Sequence, residues 1–376
     1  MSKRILIVGA GLYGATCARM LADEGHDVVV IEKQDYVGGH SHTKWVASAG
    51  CYQHVYGPHI FHTNDRKVWD FVNLFAEFNS FINRPKVFHK GRVFSFPINL
   101  LTLYQLWGVT TPEQARQRLA QECSIVDTEP DSLEQWCLMH MGRTLYETFV
   151  EGYSEKQWGR HPRELPASII KRLPIRFSYD DNYYDHKFQG IPRVGYTKLI
   201  ETMLGASHIT VELGVSFHAD RKRWANFYDL VIYTGAIDEF FGYAFGPLEY
   251  RSLQFDTKLL PVADFQGNAI INYTDRTVPF TRVVEHKHFD LQRDTSYDFT
   301  VVTYEYPLEW QAGMDAFYPI GTKPNLERLK LYQDCAARDC PTVHFGGRLG
   351  RYRYLDMDQT VSAAMKYVES LRHELA

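Results

Sequence analysis

The sequence predicts an α/β protein in which a parallel-sheet domain is interrupted by a helical insertion lobe and an antiparallel β-sheet lobe. Three observations predict it. RILIV (4–8) and DVVVIE (27–32) are short, near-continuous apolar runs, the signature of strands buried on both faces. A helix-length segment from about Leu12 to Glu24, opened by glycines, joins them as a β-α-β unit. Between Leu253 and Tyr306 the segments AIINY, FTRVVEH and FTVVTYEY instead alternate apolar and polar, as strands with one buried face do. The 376 residues, 45% hydrophobic and 23% charged, leave room for two or three lobes.

The remaining elements follow in chain order. Asn64 is placed to cap a helix running to about Phe78, with Val68, Trp69, Phe71, Val72 and Phe75 on one face. From Phe94 to Val150 the pattern is mostly helical, with capping boxes at Thr111-Pro112-Glu113-Gln114 and Ser132-Leu133-Glu134-Gln135. Arg160 to Gly195 holds four prolines and little periodicity, and is expected to be a long, mobile, functional loop. Strand signals return at Ile209 to Leu213, Asp229 to Tyr233 and Thr342 to Phe345. Gly346-Gly347 and a helix from about Asp358 close the chain, with Val361, Ala364, Met365, Val368 and Leu371 as its apolar stripe. The expected organisation is residues 1–80, 200–240 and 315–376 as a nucleotide-binding domain, 81–180 as the helical lobe with the loop, and 181–199 with 241–314 as the sheet lobe.

Lys plus Arg number 41 and Asp plus Glu 45, a net charge of −4, which argues against a general nucleic-acid binder. The six cysteines are scattered without a C-x-x-C pair and read as reduced thiols. A strand-like run begins at Arg4, where a signal peptide would lie, and the longest apolar stretch, Pro97 to Val109, is too short for a membrane span. A cytoplasmic protein without a membrane span is expected.

Gly9-Ala10-Gly11-Leu12-Tyr13-Gly14 matches G-x-G-x-x-G, between the first strand and the first helix, with Glu32 ending the second strand. The first glycine allows the tight turn, the second lets the backbone approach a pyrophosphate, and the third lets helix pack on strand. The helix N-terminus adds N–H donors and partial positive charge, and Glu32 suits an adenosine ribose with a free 2′-hydroxyl. Gly38-Gly39 past Glu32 and Gly346-Gly347 before the last helix favour FAD over NAD, so the domain reads as an interrupted Rossmann-like FAD-binding domain.

Aromatic residues reach 14%, with 24 Tyr, 23 Phe and 7 Trp. His54, His59 and His62 crowd QHVYGPHIFHTN (53–64); His59 and His62 could ligate a metal, but no third-ligand motif accompanies them and no metal is expected. Tyr153 and Trp158 lie in EGYSEKQWGR (151–160). Arg172 and Arg176 lie in the long loop and Arg282 in a strand, with Tyr183, Tyr184, Tyr306, Tyr352 and Tyr354 supplying hydroxyls. Two or more of these arginines with several phenols would clamp a diphosphate. Taken singly, each Arg reads as a surface ion pair and each Tyr as a packed ring.

Nearly the whole chain resembles the bacterial UDP-galactopyranose mutases. The resemblance is carried by GAGLYG (9–14), YGPHIFHTN (56–64), GYSEKQWGR (152–160), IIKRLPIRF (169–177), DNYYDHKFQGIP (181–192), YTGAID (233–238), YRSLQF (250–255), TRVVEHKHFD (281–290) and GGRLGRYRYLDMD (346–358). It implies an isomerase whose reduced FAD attacks the anomeric carbon through N5, forming a flavin–sugar adduct while UDP leaves. The sugar recloses as a furanose, serving cell-surface glycans, and NAD(P)H or another reductant activates the flavin. By the same resemblance Arg172, Arg282, His59 and Arg348 are catalytic, with the segment around Arg172 closing over the site. Phe149 and Tyr153 flank uracil, Trp158 lies beside the sugar, Tyr183, Tyr306 and Tyr354 contact phosphate, and Asn272 and Asp356 complete the substrate site. The cofactor is expected on Gly9, Gly11, Leu12, Tyr13, Gly14, Glu32, Lys33, Gly39, His40, His59, Val215, Gly235, Gly347, Arg348, Asp356 and Met357.

A homodimer is also implied. The chain departs from the family pattern at His40, where Asn is common, at Arg193-Val194-Gly195, where paired glycines are, and at Ala236, where Pro is. Relatives act on dTDP-fucopyranose or UDP-N-acetylgalactosamine, which are the alternative substrates. A flavin oxidoreductase of the disulfide type would carry a second G-x-G-x-x-G and a C-x-x-C, and neither is present.

Overall fold

A computed structural model describes residues 2–124, 129–169, 173–221, 224, 227–290 and 296–375. Its parallel sheet has five strands in the order Val343–Phe345, Leu230–Tyr233, Arg4–Val8, Asp27–Glu32 and Ile209–Leu213. The first strand of the chain is therefore central, and Ile5, Leu6 and Ile7 are fully buried, which is why the run is apolar at successive positions. Helix Leu12–Asp23 packs on the final helix Met357–Leu375, with Ala15, Ala18 and Leu21 in one cluster with Ala364, Val368 and Leu371.

Helix Gly195–Leu204 joins the same cluster through Leu199, Ile200, Met203 and Leu204. The boundary expected between residues 199 and 200 cuts through this helix. All of it belongs with the parallel sheet, because Leu199 and Ile200 lie on one apolar face.

The second sheet has seven strands in the order Tyr318–Pro319, Tyr250–Leu260, Thr300–Glu309, Arg282–Glu285, Ile270–Tyr273, Lys86–His89 and Arg92–Ser95. Every pairing is antiparallel except that of Ile270–Tyr273 with Lys86–His89. Residues 86–95 thus extend this sheet rather than the helical lobe. Lys90 and Gly91 both have positive φ, the geometry of a tight hairpin turn. Tyr318–Pro319 likewise joins this sheet and not the nucleotide-binding domain.

The helical lobe comprises Leu100–Trp107, Pro112–Glu122, Leu133–His140, Gly142–Leu145, a π-helical turn at Tyr146–Val150 and Glu151–Trp158. Thr111 and Ser132 cap as expected, accepting from Gln114 N and Gln135 N. The glutamine side chains reach back to Thr110 N and Asp131 N, one residue before each cap. The helix expected from Asn64 to Phe78 is shorter, Arg66–Asn73, and Asp65 caps it instead. Asn64 Oδ1 accepts from Lys187 N.

Within the expected loop, Phe188–Gly190 pairs with Phe61–Thr63. Among the described residues no helix is long and apolar enough to cross a membrane.

Candidate active site

The glycine-rich turn is built by contacts that side chains would break. Gly9 has φ +105°, and a Cβ on Gly14 would lie 2.1 Å from Gly9 O. Glu32 holds the turn from behind, accepting from Ala10 N at 2.9 Å through one carboxylate oxygen and from Gln34 N at 3.0 Å through the other. Gly11 and Gly38 form an isolated parallel bridge, which brings the second glycine pair against the first. Gly347 opens a one-turn helix, and the Gly346 backbone lies against the Tyr13 ring. Gly9, Gly11, Glu32, Gly39, Gly235 and Gly347 thus line the carboxyl ends of the parallel strands, where a dinucleotide fits. Leu12 and Tyr13 belong to the core behind them, Met357 starts the last helix, and Val215 N donates to Glu32 O.

At the mouth of this cradle the two lobes meet around Arg282. Its Nη2 lies 3.4 Å from the Tyr153 hydroxyl, its Nε 3.3 Å from Asn272 Oδ1 and its Nη1 3.6 Å from Glu305 Oε2. Burial alone would lower the Arg282 pKa, but Glu305, then Tyr153 and Tyr318, hold it well above the ordinary value. Glu305 is pushed up by burial, with Arg282 opposing.

Arg348 donates to Phe317 O and Leu355 O and lies 4.8 Å from the Tyr354 ring centre. Tyr354 stacks on Tyr318. His59 shares Nδ1 with Gly57 O at 2.9 Å, and its pKa is lowered to about 4 by burial, opposed by the Gly57 bond and assisted by Arg348 and Arg282. His40 stacks on Phe317 and is lowered to about 3 by burial, then by Arg348, His59 and Lys33. Both rings are therefore neutral near pH 7, beside two permanent cations. A cation braced by a buried carboxylate and ringed by phenols can take the charge of a departing diphosphate.

Residues 148–354 match the family model for UDP-galactopyranose mutase, and residues 7–75 match that for an NAD(P)-binding Rossmann-like domain. The chain is 41% identical over its full length to a probable UDP-galactopyranose mutase of Klebsiella pneumoniae, covering 96% of that protein. The chain belongs to the UDP-galactopyranose mutase family. It is also 39% identical to the dTDP-fucopyranose mutase of Escherichia coli, over 97% of each chain. A crystal structure of reduced UDP-galactopyranose mutase superposes with a TM-score of 0.74 at 16% identity, covering 100% of this chain and 95% of that one, a likeness of fold. The family is one of isomerases, and this chain is such an enzyme.

Set against the family expectations, the structure brings Tyr153, Asn272, Arg282, His59, Arg348 and Tyr354 to one region. Asp356 stands nearby, its charge acting on His62 and Tyr184. Tyr183 lies at the rim against Phe96 and Tyr184. Phe149 is buried in the helical core against Phe94 and Phe96, and Trp158 packs on the edge of that core. Arg172 lies outside the described residues. Arg176 is occupied by Asn182 O and Asp185 on its own loop.

Tyr306 is not brought to the site. Glu305 faces Arg282, so strand alternation turns Tyr306 to the other face, where its ring meets Phe280. Tyr318 stands in the site instead, its hydroxyl pushed up to about 12 by burial, with Arg282 opposing. Glu305 and Tyr318 escaped the sequence reading. An acidic residue on the inward phase of FTVVTYEY was the available signal for the first. For Tyr318, in a strand of two residues, there was none.

Proposed function

We propose that this chain is a reduced-FAD-dependent mutase interconverting UDP-galactopyranose and UDP-galactofuranose. One observation carries the reading: Arg282, braced by Glu305 and bonded to Tyr153 and Asn272, stands beside His59 and Arg348 at the mouth of a dinucleotide cradle. FAD is supported over NAD by the Gly38-Gly39 and Gly346-Gly347 turns meeting the G-x-G-x-x-G turn, since a second dipole-bearing turn suits the flavin half. Bound and reduced, FAD would supply a nucleophilic nitrogen to the anomeric carbon as UDP departs.

The chain's own residues do the rest. Arg282 and the Tyr153, Tyr318 and Tyr354 hydroxyls hold the diphosphate before and after detachment. Because Glu305 fixes the guanidinium beforehand, little reorganisation accompanies the charge that develops. Tyr153 flanks the base, with Phe149 buried one helical turn before it, Asn272 orients the ribose end, and Trp158 borders the sugar. By the family resemblance Arg172, which lies outside the described residues, adds a second cation. His59, being neutral, offers the flavin a dipole rather than a charge.

The near-equal identity to the E. coli dTDP-fucopyranose mutase supports a second reading, the same ring contraction on dTDP-fucopyranose. Assays of dithionite-reduced protein with UDP-galactopyranose, UDP-N-acetylgalactosamine and dTDP-fucopyranose decide between them. We expect a yellow protein, furanose product only after reduction, and highest turnover on UDP-galactopyranose. A colourless protein that takes up no flavin refutes the cofactor. Equal turnover with oxidised flavin refutes the chemistry, and a preference for dTDP-fucopyranose selects the second reading.

A further inference from the structure

We propose that Lys156 is a positioning residue that sets the spacing between Tyr153 and Arg282, and through it the affinity of the site for a nucleoside diphosphate. The inference rests on the proposed roles of those two residues. The Lys156 ammonium lies 2.8 Å from Tyr273 O, 2.9 Å from Asp275 O, 3.0 Å from Val278 O and 2.9 Å from Phe280 O. Three N–H donors are thus shared among four main-chain carbonyls, the role a small metal ion would play in a loop. Burial lowers the Lys156 pKa to about 8, with Asp275 opposing, so the group is charged at pH 7.

The two segments joined here carry opposite walls of the site. Lys156 is three residues beyond Tyr153 on helix Glu151–Trp158, on the same face. The turn it gathers connects Asn272 to Arg282, on strands Ile270–Tyr273 and Arg282–Glu285. The helix can lie on the turn because residue 152 is glycine, where a Cβ would meet Thr274 O at 2.3 Å. Arg251 Nε holds the helix at its other end, donating to Gln157 O at 2.9 Å. Arg276 pairs with Glu151 and Glu155 at the half-exposed rim, where ion pairs contribute little.

Lys156 therefore fastens the turn at four points, beside the bond from Thr274 Oγ1 to Thr148 O at 2.6 Å. Without its charge, the four converging carbonyl oxygens lose their shared donor, Asp275 O keeping only Val278 N at 3.3 Å, and the turn opens to hydrate them. Arg282 then moves relative to Tyr153, although Lys156 itself touches neither.

The test uses full-length, flavin-loaded protein, with UDP as the probe in titration calorimetry. Wild type, Lys156→Met, Lys156→Arg and Arg282→Ala are compared for UDP affinity, flavin absorbance, melting temperature, and kcat and KM separately. Lys156→Met is expected to keep its flavin and weaken UDP binding about tenfold, the worth of one charge-assisted hydrogen bond. KM should rise more than kcat falls, and Lys156→Arg should recover part of the affinity.

If wild type binds no UDP, or Arg282→Ala binds it unchanged, the site reading fails. If wild type binds and Arg282→Ala does not, yet Lys156→Met binds as tightly as wild type, only the positioning role fails. Should neither Lys156 variant yield folded flavoprotein, Lys156 is a folding determinant and the positioning role is likewise overturned.

Discussion

Arg282 and Glu305 are direct partners across two neighbouring antiparallel strands, with Arg282 Nη1 3.6 Å from Glu305 Oε2. The pairing gives the site a cation whose direction is set by sheet register rather than by a flexible side chain. Arg282→Ala is expected to lower turnover about 100-fold or more, as removal of a preorganised charge-stabilising donor does, while flavin absorbance is unchanged. Arg172→Ala should behave alike. Loss of flavin in both variants would show that they belong to the cofactor site instead.

Tyr318 and Tyr306 provide an internal control. Tyr318→Phe removes a hydroxyl beside Arg282 and should weaken UDP binding about fivefold, a hydrogen bond's worth. Tyr306→Phe alters the far face of the sheet and should leave UDP affinity unchanged. Calorimetric titration that ranks the two variants the other way contradicts the placement of the phosphate site.

The cradle tolerates no side chain at residue 14. Gly14→Ala puts a Cβ 2.1 Å from Gly9 O, so helix and turn must separate. The purified variant should be folded by circular dichroism but lack the flavin absorbance of wild type. A variant as yellow as wild type would place the cofactor elsewhere.

Acid stability follows from histidines kept neutral by burial. His40 and His286 are lowered to about 3 and His59 to about 4, each chiefly by burial. A depressed folded pKa means that below the ordinary histidine value, about 6.5, the unfolded chain binds more protons than the folded one. Stability is therefore fully present above pH 6.5 and is lost as pH falls toward 3 to 4. Urea midpoints should decline steadily over that window. His40→Asn, which removes one of these groups, should make the decline shallower. A midpoint flat from pH 7 to 4 would show that these rings titrate normally.

The parallel-sheet domain was legible because its signals are local. RILIV, the glycine turn, helix Leu12–Asp23 and DVVVIE lie within 29 consecutive residues, and the structure forms them with nearly the expected bounds. The hairpin at 86–95 was not legible, because two four-residue strands leave too little periodicity to stand out beside a helical region. The same limit hid the early end of the helix at Asn73, since Phe75 stays apolar and buried after the backbone has left the helix.

The candidate site divides the same way. The amino-acid sequence by itself determined the glycine-rich motif of the Rossmann-like domain and the family, both carried by residue identity at short spacing. Only the tertiary structure decided which charges and phenols meet. Tyr153, Asn272, Arg282, Glu305 and Tyr318 come from four strands and one helix, and strand alternation turns Glu305 inward and Tyr306 outward although they are neighbours in the chain. The physical reason is that a side chain's face depends on register with distant strands. That register is set by burial across the whole sheet and by fastenings such as Lys156 on the 273–280 turn.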